Sequence, residues 1–513
     1  MSAVPPAAPG PSAKPAPAKH LGTRHILVLI VAAAAPLSAM VGTVPLAIAF
    51  GTGAGAPAAF VFVGVTLLCF SVGFAVSARR TGGVGGFYAS AADGLGRPPA
   101  AATGYLALLS YNCATFGLVG ALGYFTHLVL ADHGVDVPWL WCAAAGLALV
   151  AVLGYREIGL SAGLLMLLML GEVGILLALD VAILVRDGGD ALPTASFSPS
   201  IAVGPGLGVT LAFAFVSFIG FESAALYGKE AKDPRRSVPH ATYAAVVVIA
   251  GFYALTSWIA VGAVGSGKVR GVATEQLGDF FFHLGDRYLG SVGATALQIL
   301  LCTSLLAACL ALHCAANRYI QTLAADGLLP ARLSTLHPRH GSPHRASVVQ
   351  NVMTAVIVCA FAVAGLDPYV DLTTSMLGLG TVGIIALQAV AAASVLGLRL
   401  RGGGTHWWRE GLAPLLGFAG LLVSVWLVIR NFDMITGKPG TLVAQLPWLV
   451  PVVALAGLAH AAWLKSARPD RYRTLGLPKQ APEPASRVVT AHLAPTPGAI
   501  DPTPGPSGSS VRS

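Results

Sequence analysis

Charge is what this sequence has least of: 10% of its 513 residues are Asp, Glu, Lys or Arg, against roughly 25% in soluble domains. A chain so poor in charge cannot cover its surface for water. Cysteine is sparse as well. The seven (Cys69, Cys113, Cys142, Cys302, Cys309, Cys314 and Cys359) all fall inside apolar stretches, and no two form a CxxC pair. That pattern excludes a disulfide framework and a cysteine metal site, and reads as small core residues. No HExxH occurs, nor GxxxxGK followed by Ser or Thr, which argues against a zinc hydrolase and an ATP-driven pump. No metal and no cofactor is expected, and no enzyme.

What the chain has instead is hydrophobicity, at 55% of residues. From residue 26 to residue 78 there is no charged side chain at all, whereas about 20 apolar residues are enough for one helix to cross a bilayer. This run reads as two spans joined by a short turn near 51–57. Helices are the expected form, because every backbone amide must be paired inside hydrocarbon. The alternating segments of a barrel are missing. Apolar segments fall at roughly 25–50, 57–78, 99–130, 137–155, 158–186, 204–228, 237–266, 290–316, 346–365, 370–398, 411–430 and 444–464, with boundaries good to about 2–4 residues.

The expectation is therefore an all-α polytopic membrane protein of twelve transmembrane helices over 23–466, with the lipid bilayer as its partner. Two proline-rich tails flank it, 1–22 and 467–513. Six prolines lie in the first 20 residues and nine in the last stretch, 466–513, so both read as disordered and solvated. An even number of spans puts both termini on one side. Fifteen Lys and Arg lie in loops on that side and six in loops on the other. The positive-inside bias makes the side of the termini cytoplasmic. The net charge of +9 is thereby a topology signal and does not point to nucleic acid. Oligomeric state is left open.

Two spans carry helix breakers in matching places. The first contains APLSAMVGTVP, with Pro36, Gly42 and Pro45; the sixth contains FVSFIGFES, with Gly220 and an ionisable Glu222. Spans one and six correspond if two five-helix halves repeat and the last two spans are an appendage. A weak repeat supports this. GGFYASAADGLGRPP after span two and LGDFFFHLGDRYLG after span seven are both aromatic-to-glycine amphipathic stretches. Paired interrupted helices in equivalent positions are the best sequence pointer to a transporter's binding site.

At these residues the sequence resembles the amino acid–polyamine–organocation superfamily of permeases. The likeness rests on the broken first helix; on SFIGFES at 217–223, followed by GKEAKDPRRSVP at 228–239; on ADGLLP at 325–330, with Gly341, Ser342 and Pro343 after it; and on GGFY at 85–88. It runs from about residue 25 to 465. The resemblance implies a five-plus-five inverted repeat, an amino acid or related amine as substrate, and secondary active transport. The chain departs from the commoner family pattern at Ala39 and Val41, where glycine is usual, and at Val216, where some members place a gating aromatic.

An amino acid zwitterion must shed water from a carboxylate and an ammonium together. A break in span one would leave amides open at the positive end of a half-helix dipole, an anion site without a charged side chain. The amides of Met40, Val41, Gly42 and Thr43, helped by the Ser38 and Thr43 hydroxyls, are assigned to the carboxylate. Carbonyls of Val216, Ser217 and Phe218, and those near Pro36 to Ala39, are assigned to the ammonium. Gly42 and Gly220 would let the ligand approach the backbone. Phe218 or Phe221 is a candidate lid, although aromatic residues at helical spacing are more often core.

Glu222 and Glu172 are the candidate proton-coupling groups, since a carboxyl in hydrocarbon must be neutralised or partnered. Asp180 and Asp371 are expected to face water, and His313 to be a satisfied core residue. Side-chain selectivity is assigned to Tyr111, Asn112, Thr115, Phe221, Thr303, Ser304, Thr374 and Ser375. The leading expectation is a proton-coupled amino acid permease of the plasma membrane working by alternating access. A polyamine or other organic-amine transporter, or an amino acid exchanger of the same fold, is the alternative. A channel or a transporter-like sensor ranks lower, for want of a polar stripe or a soluble relay domain.

Overall fold

The apolar runs become helices. A computed structural model describes residues 22–81, 85–156, 162–222, 233–338, 340–403, 406–436 and 442–476, and among these every regular element is helical. The N-terminal tail up to residue 21, the motif segment 223–232 and the chain after 476 lie outside the described residues. In chain order the first helices are α1 (Thr23–Ala33), α2 (Pro36–Ala49), α3 (Ala56–Thr81), α4 (Gly86–Gly94), α5 (Arg97–Asp132), α6 (Trp139–Tyr155) and α7 (Ala162–Asp187). Then come α8 (Pro199–Ala202), α9 (Leu207–Ser217), α10 (Pro234–Val264), α11 (Val269–Gln276), α12 (Phe280–Ala325) and α13 (His344–Val363). The last are α14 (Thr374–Leu398), α15 (Ala413–Arg430), α16 (Phe432–Thr436), α17 (Leu449–Ala467) and α18 (Pro469–Thr474).

Among the described residues, ten helical stretches are long and apolar enough to cross a membrane. Two shorter apolar helices, α6 and α9, stand where the fourth and sixth expected spans fall. Large apolar side chains are exposed along the outer helices, among them Leu167, Val185, Val247, Val356, Trp426 and Leu455. A water-facing surface does not tolerate such a belt; lipid does. The chain is a multi-pass membrane protein.

Packing is built on small residues. Along α5 and α14 a Cβ added at Gly380 would stand 2.9 Å from the Ala114 amide nitrogen, and one at Gly117 would stand 2.8 Å from Leu377. Backbones that close need glycine, which is how helices associate where no hydrophobic force drives them together. At the centre lies α2, every residue of which is buried.

The first span is interrupted, though not where the motif put it. α1 stops at Ala33, Ala35 takes φ 45°, ψ 69°, and α2 starts at Pro36. Proline explains the place: it bars the residue before it from the α-region, yet its fixed φ suits the first helical position. Residues 38–43, expected to be the open segment, lie inside an unbroken helix. In the sixth span the described helix ends inside FVSFIGFES, and the turn there is the second break, described up to residue 222. α9 ends at Ser217, residues 218–220 turn, and Gly220 adopts φ +111°.

The two repeat-like stretches share a form. α4 is followed by Gly96 at φ +97° before α5 begins, and the first part of α12 ends at Gly290, φ +74°, before the long span continues. Beyond residue 466, where the membrane domain is expected to end, α17 reaches Ala467, and α18 with residues up to Gly476 packs against the body. Proline at 469 starts a helix there instead of preventing one.

Candidate functional site

The two breaks touch. A Cβ on Gly220 would stand 2.5 Å from the Ala33 carbonyl oxygen, so only glycine allows the second turn to sit on the end of α1. The Tyr253 hydroxyl of α10 donates to the Ala34 carbonyl at 3.3 Å, securing the same end. The opposite end of the gap is the start of α2, with its unpaired amides and positive dipole end. The protein fills this place itself. Leu37 N donates to Glu172 Oε2 at 3.3 Å, Ser38 N to Ser304 Oγ at 3.3 Å, and Ser304 Oγ to Glu172 Oε2 at 2.8 Å. Glu172, from α7, is 5% exposed.

A second carboxyl, Glu222, follows the turn after α9. Its Oε1 accepts the Tyr111 hydroxyl at 2.8 Å and its Oε2 accepts Gly220 N at 3.0 Å. Tyr111 (α5) stacks on Tyr319 (α12) with ring centroids 5.2 Å apart, and Phe87 N donates to the Tyr319 hydroxyl at 3.4 Å. α2 is also tied to its other neighbours. The Thr43 and Ser217 hydroxyls lie 2.8 Å apart, and the Tyr369 hydroxyl donates to the Gly42 carbonyl at 3.1 Å. Tyr369 is wholly buried and stacks on Tyr124 at 4.7 Å.

A cavity of about 570 Å³ lies between these layers, within the roughly 300–1,000 Å³ of small-molecule sites. Ala33, Ala34, Ala35, Ser38, Ala39, Gly42 and Thr43 line it from the first span, and Val216, Ile219, Gly220 and Glu222 from the sixth. It runs along α12 to the exposed Arg318.

Of the residues singled out in the sequence, Ser38, Ala39, Gly42, Thr43, Val216, Gly220, Glu222 and Tyr111 meet at this cavity. Met40 and Val41 are wholly buried elsewhere. The amides of Met40, Val41, Gly42 and Thr43 belong to the second turn of α2, where helical pairing takes them; the amides at the break are those of Leu37 and Ser38. Ser217 stands behind the lining, bridged to Thr43. Phe218 packs edge-on against Tyr253 at 5.7 Å and Phe221 against Phe70 at 6.1 Å; both are core and neither covers the cavity.

The Thr303 hydroxyl bonds the Leu300 carbonyl of its own helix, those of Thr374 and Ser375 bond the Val370 and Asp371 carbonyls in the turn just before α14, and Thr115 bonds the Tyr111 carbonyl. Asn112 is buried and donates to the Leu108 carbonyl. Asp180 and Asp371, expected to face water, are 3% and 9% exposed; Asp180 accepts the Thr256 hydroxyl at 2.7 Å and Asp371 accepts Asp367 N at 2.8 Å. His313 is buried with its Nε2 2.9 Å from Ser347 Oγ. Arg318 and Tyr319 were not anticipated. The signal available was a stripe of small residues on α12, Ala308, Ala311 and Ala315, at helical spacing before the tyrosine.

Comparison with known proteins follows the same line. A family model described as amino acid permease matches residues 27–456. An uncharacterised transporter of Mycobacterium tuberculosis is 28% identical over 209 residues, which is 41% of this chain and 43% of the relative. Cationic amino acid transporter 4 of Homo sapiens is 29% identical over 160 residues, 31% of this chain and 24% of the relative. The branched-chain amino acid permease BcaP of Bacillus subtilis is 24% identical over 180 residues, 35% of this chain and 36% of the relative. The matches span less than half the length of each relative. The matched family and these relatives are transporters, not enzymes. The chain belongs to the amino acid permease family.

Proposed function

We propose that this protein is a secondary active transporter that moves an amino acid across the plasma membrane by alternating access, coupled to protons. The carrying observation is the cavity where the interruption of the first span meets the turn that ends α9, lined by both and entered by one carboxyl group, Glu222. Twelve crossings, a five-plus-five repeat with an appended pair, and cytoplasmic termini complete the reading. The helices at all twelve expected places and the short α4-type stretches ahead of two long spans support it.

In this reading the substrate's ammonium lies between Glu222 and the carbonyls near Ala33 and Val216. Its carboxylate takes the amides of Leu37 and Ser38. Those amides now serve Glu172 and Ser304, so a proton on Glu172 would release an acceptor from the α2 end as substrate arrives. Two carboxyls then flank the ligand, one able to compete with its anionic end and one to bind its cationic end. A second reading follows from Glu222, because an acid in the cavity also suits a substrate with extra positive charge. Human and plant relatives bear the name cationic amino acid transporter.

Reconstituted vesicles are expected to take up labelled amino acids saturably, faster with an inward proton gradient; linear, non-saturable flux refutes the proposal. Competition by arginine or putrescine but not by leucine selects the cationic reading, and the reverse selects the neutral one. Glu222→Gln keeps the bond to Tyr111 but cannot ionise. Its uptake is expected to lose pH dependence between pH 5 and 8 while ligand-induced thermal stabilisation persists, and a wild-type pH profile removes Glu222 from the coupling.

A further inference from the structure

The open end of the cavity is framed by two elements. Gly85, Gly86 and Phe87, at the start of α4, line one side; Arg318, Gln321 and Thr322, near the end of α12, line the other. The same two elements are gripped by a piece of chain that belongs to neither, residues 468–476 after the last long helix. Leu475 is 1% exposed and sits in an apolar cluster with Tyr88 and Ala91 of α4, Ala100 of α5, Leu323 of α12 and Leu328 just beyond it. Gly476 N donates to Asp326 Oδ2 at 3.1 Å, the oxygen that also accepts the Tyr88 hydroxyl at 2.7 Å. One carboxylate at the end of α12 thus holds α4 and the C-terminal segment together. Arg97, at the start of α5, donates twice to the Arg473 carbonyl, at 3.2 and 2.9 Å, and lies 5.6 Å over the Tyr472 ring.

The fit is close. Gly476 takes φ +70°, and a Cβ there would stand 2.4 Å from that of Ala92, so the segment lies flush against α4. A solvated tail makes no buried leucine and no buried backbone bond to a carboxylate. None of these contacts reaches the proposed ligand, so substrate binding does not account for them. They fall on the parts that must move relative to one another for the cavity to close at this end, because alternating access is largely the rocking of one bundle against another.

We propose that residues 468–476 form a clasp that stabilises the state with the cavity open beside α4, and that its release favours closure. A contact made in one state and lost in the other shifts the equilibrium by its differential free energy. The inference rests on the alternating-access reading, and its test separates the two.

In full-length protein carrying Gln321→Cys, the rate of maleimide labelling at that position, read by peptide mass spectrometry, reports opening of the mouth. Adding Leu475→Asp puts a charge into the apolar cluster and is expected to slow labelling at least twofold. Arg97→Gln, a milder change, is expected to slow it less and carries the test if Leu475→Asp is not monodisperse. A mixture of the twenty amino acids is added in parallel. If the mixture changes labelling but neither clasp variant does, the clasp is refuted and alternating access stands. If neither the mixture nor the variants change it, both readings fail. Faster labelling in the variants also overturns the clasp.

Discussion

Gly220→Val is expected to reduce amino acid uptake below about a tenth of the wild-type rate, and Gly220→Ala to do nearly as much. Two independent costs act at this position. Its φ of +111° is one that side chains rarely adopt, at about 1–3 kcal/mol. A Cβ would also meet the Ala33 carbonyl oxygen at 2.5 Å. That neighbour is backbone, so no side-chain rotation relieves the contact, and overpacking of this kind costs typically about 1–3 kcal/mol more. Since about 1.4 kcal/mol is a factor of ten, the lower end of the sum already reaches the stated loss if it falls on the transport-competent state. Initial rates in proteoliposomes, at matched amounts of monodisperse protein, check it. A Gly220→Ala variant transporting at the wild-type rate would mean that contact between the two breaks is not needed for function.

Much of this was legible in the sequence, for identifiable reasons. Spans are long and their signal sums over some twenty residues, so the places of the apolar helices emerge from composition alone. The second break, the turn after α9, was legible to within its motif, because glycine in FIGFES has little other use in a buried helix. The first was displaced by a few residues. The motif Ser38 to Thr43 drew attention to Gly42, whereas the rule that matters is local: Pro36 excludes the α-region for Ala35 and fits the start of a helix.

Glu172 could be recognised as a carboxyl in hydrocarbon, but its partners Leu37 and Ser304 lie far away along the chain, and no local pattern names them. The phenylalanines of the second turn read as lid or core from their position, and the choice falls to core because aromatic packing depends on Phe70 and Tyr253, which other helices supply. The C-terminal contact was hidden by composition. A proline-rich stretch reads as solvated, and nothing before the fold shows that Leu475 and Gly476 have a groove to enter.

The account's central claim is that the substrate sits in the cavity between the breaks, and Gly42 offers the cleanest way to ask. It lines that cavity, and a Cβ there would meet no atom within 4 Å. A larger side chain can therefore enter the cavity without disturbing the protein around it. Leucine is also about 0.8 kcal/mol or so better than glycine inside a helix, so Gly42→Leu is expected to melt no lower than wild type when no ligand is present. A ligand that binds the folded state at a hundred times its Kd adds about 2.7 kcal/mol of stability, which a melting curve resolves. The measurement is the thermal shift produced by the wild type's best amino acid in purified Gly42→Leu. No shift, with an unliganded melting temperature at or above that of the wild type, is the predicted result. A shift as large as that of the wild type would place the substrate somewhere else and contradict the account.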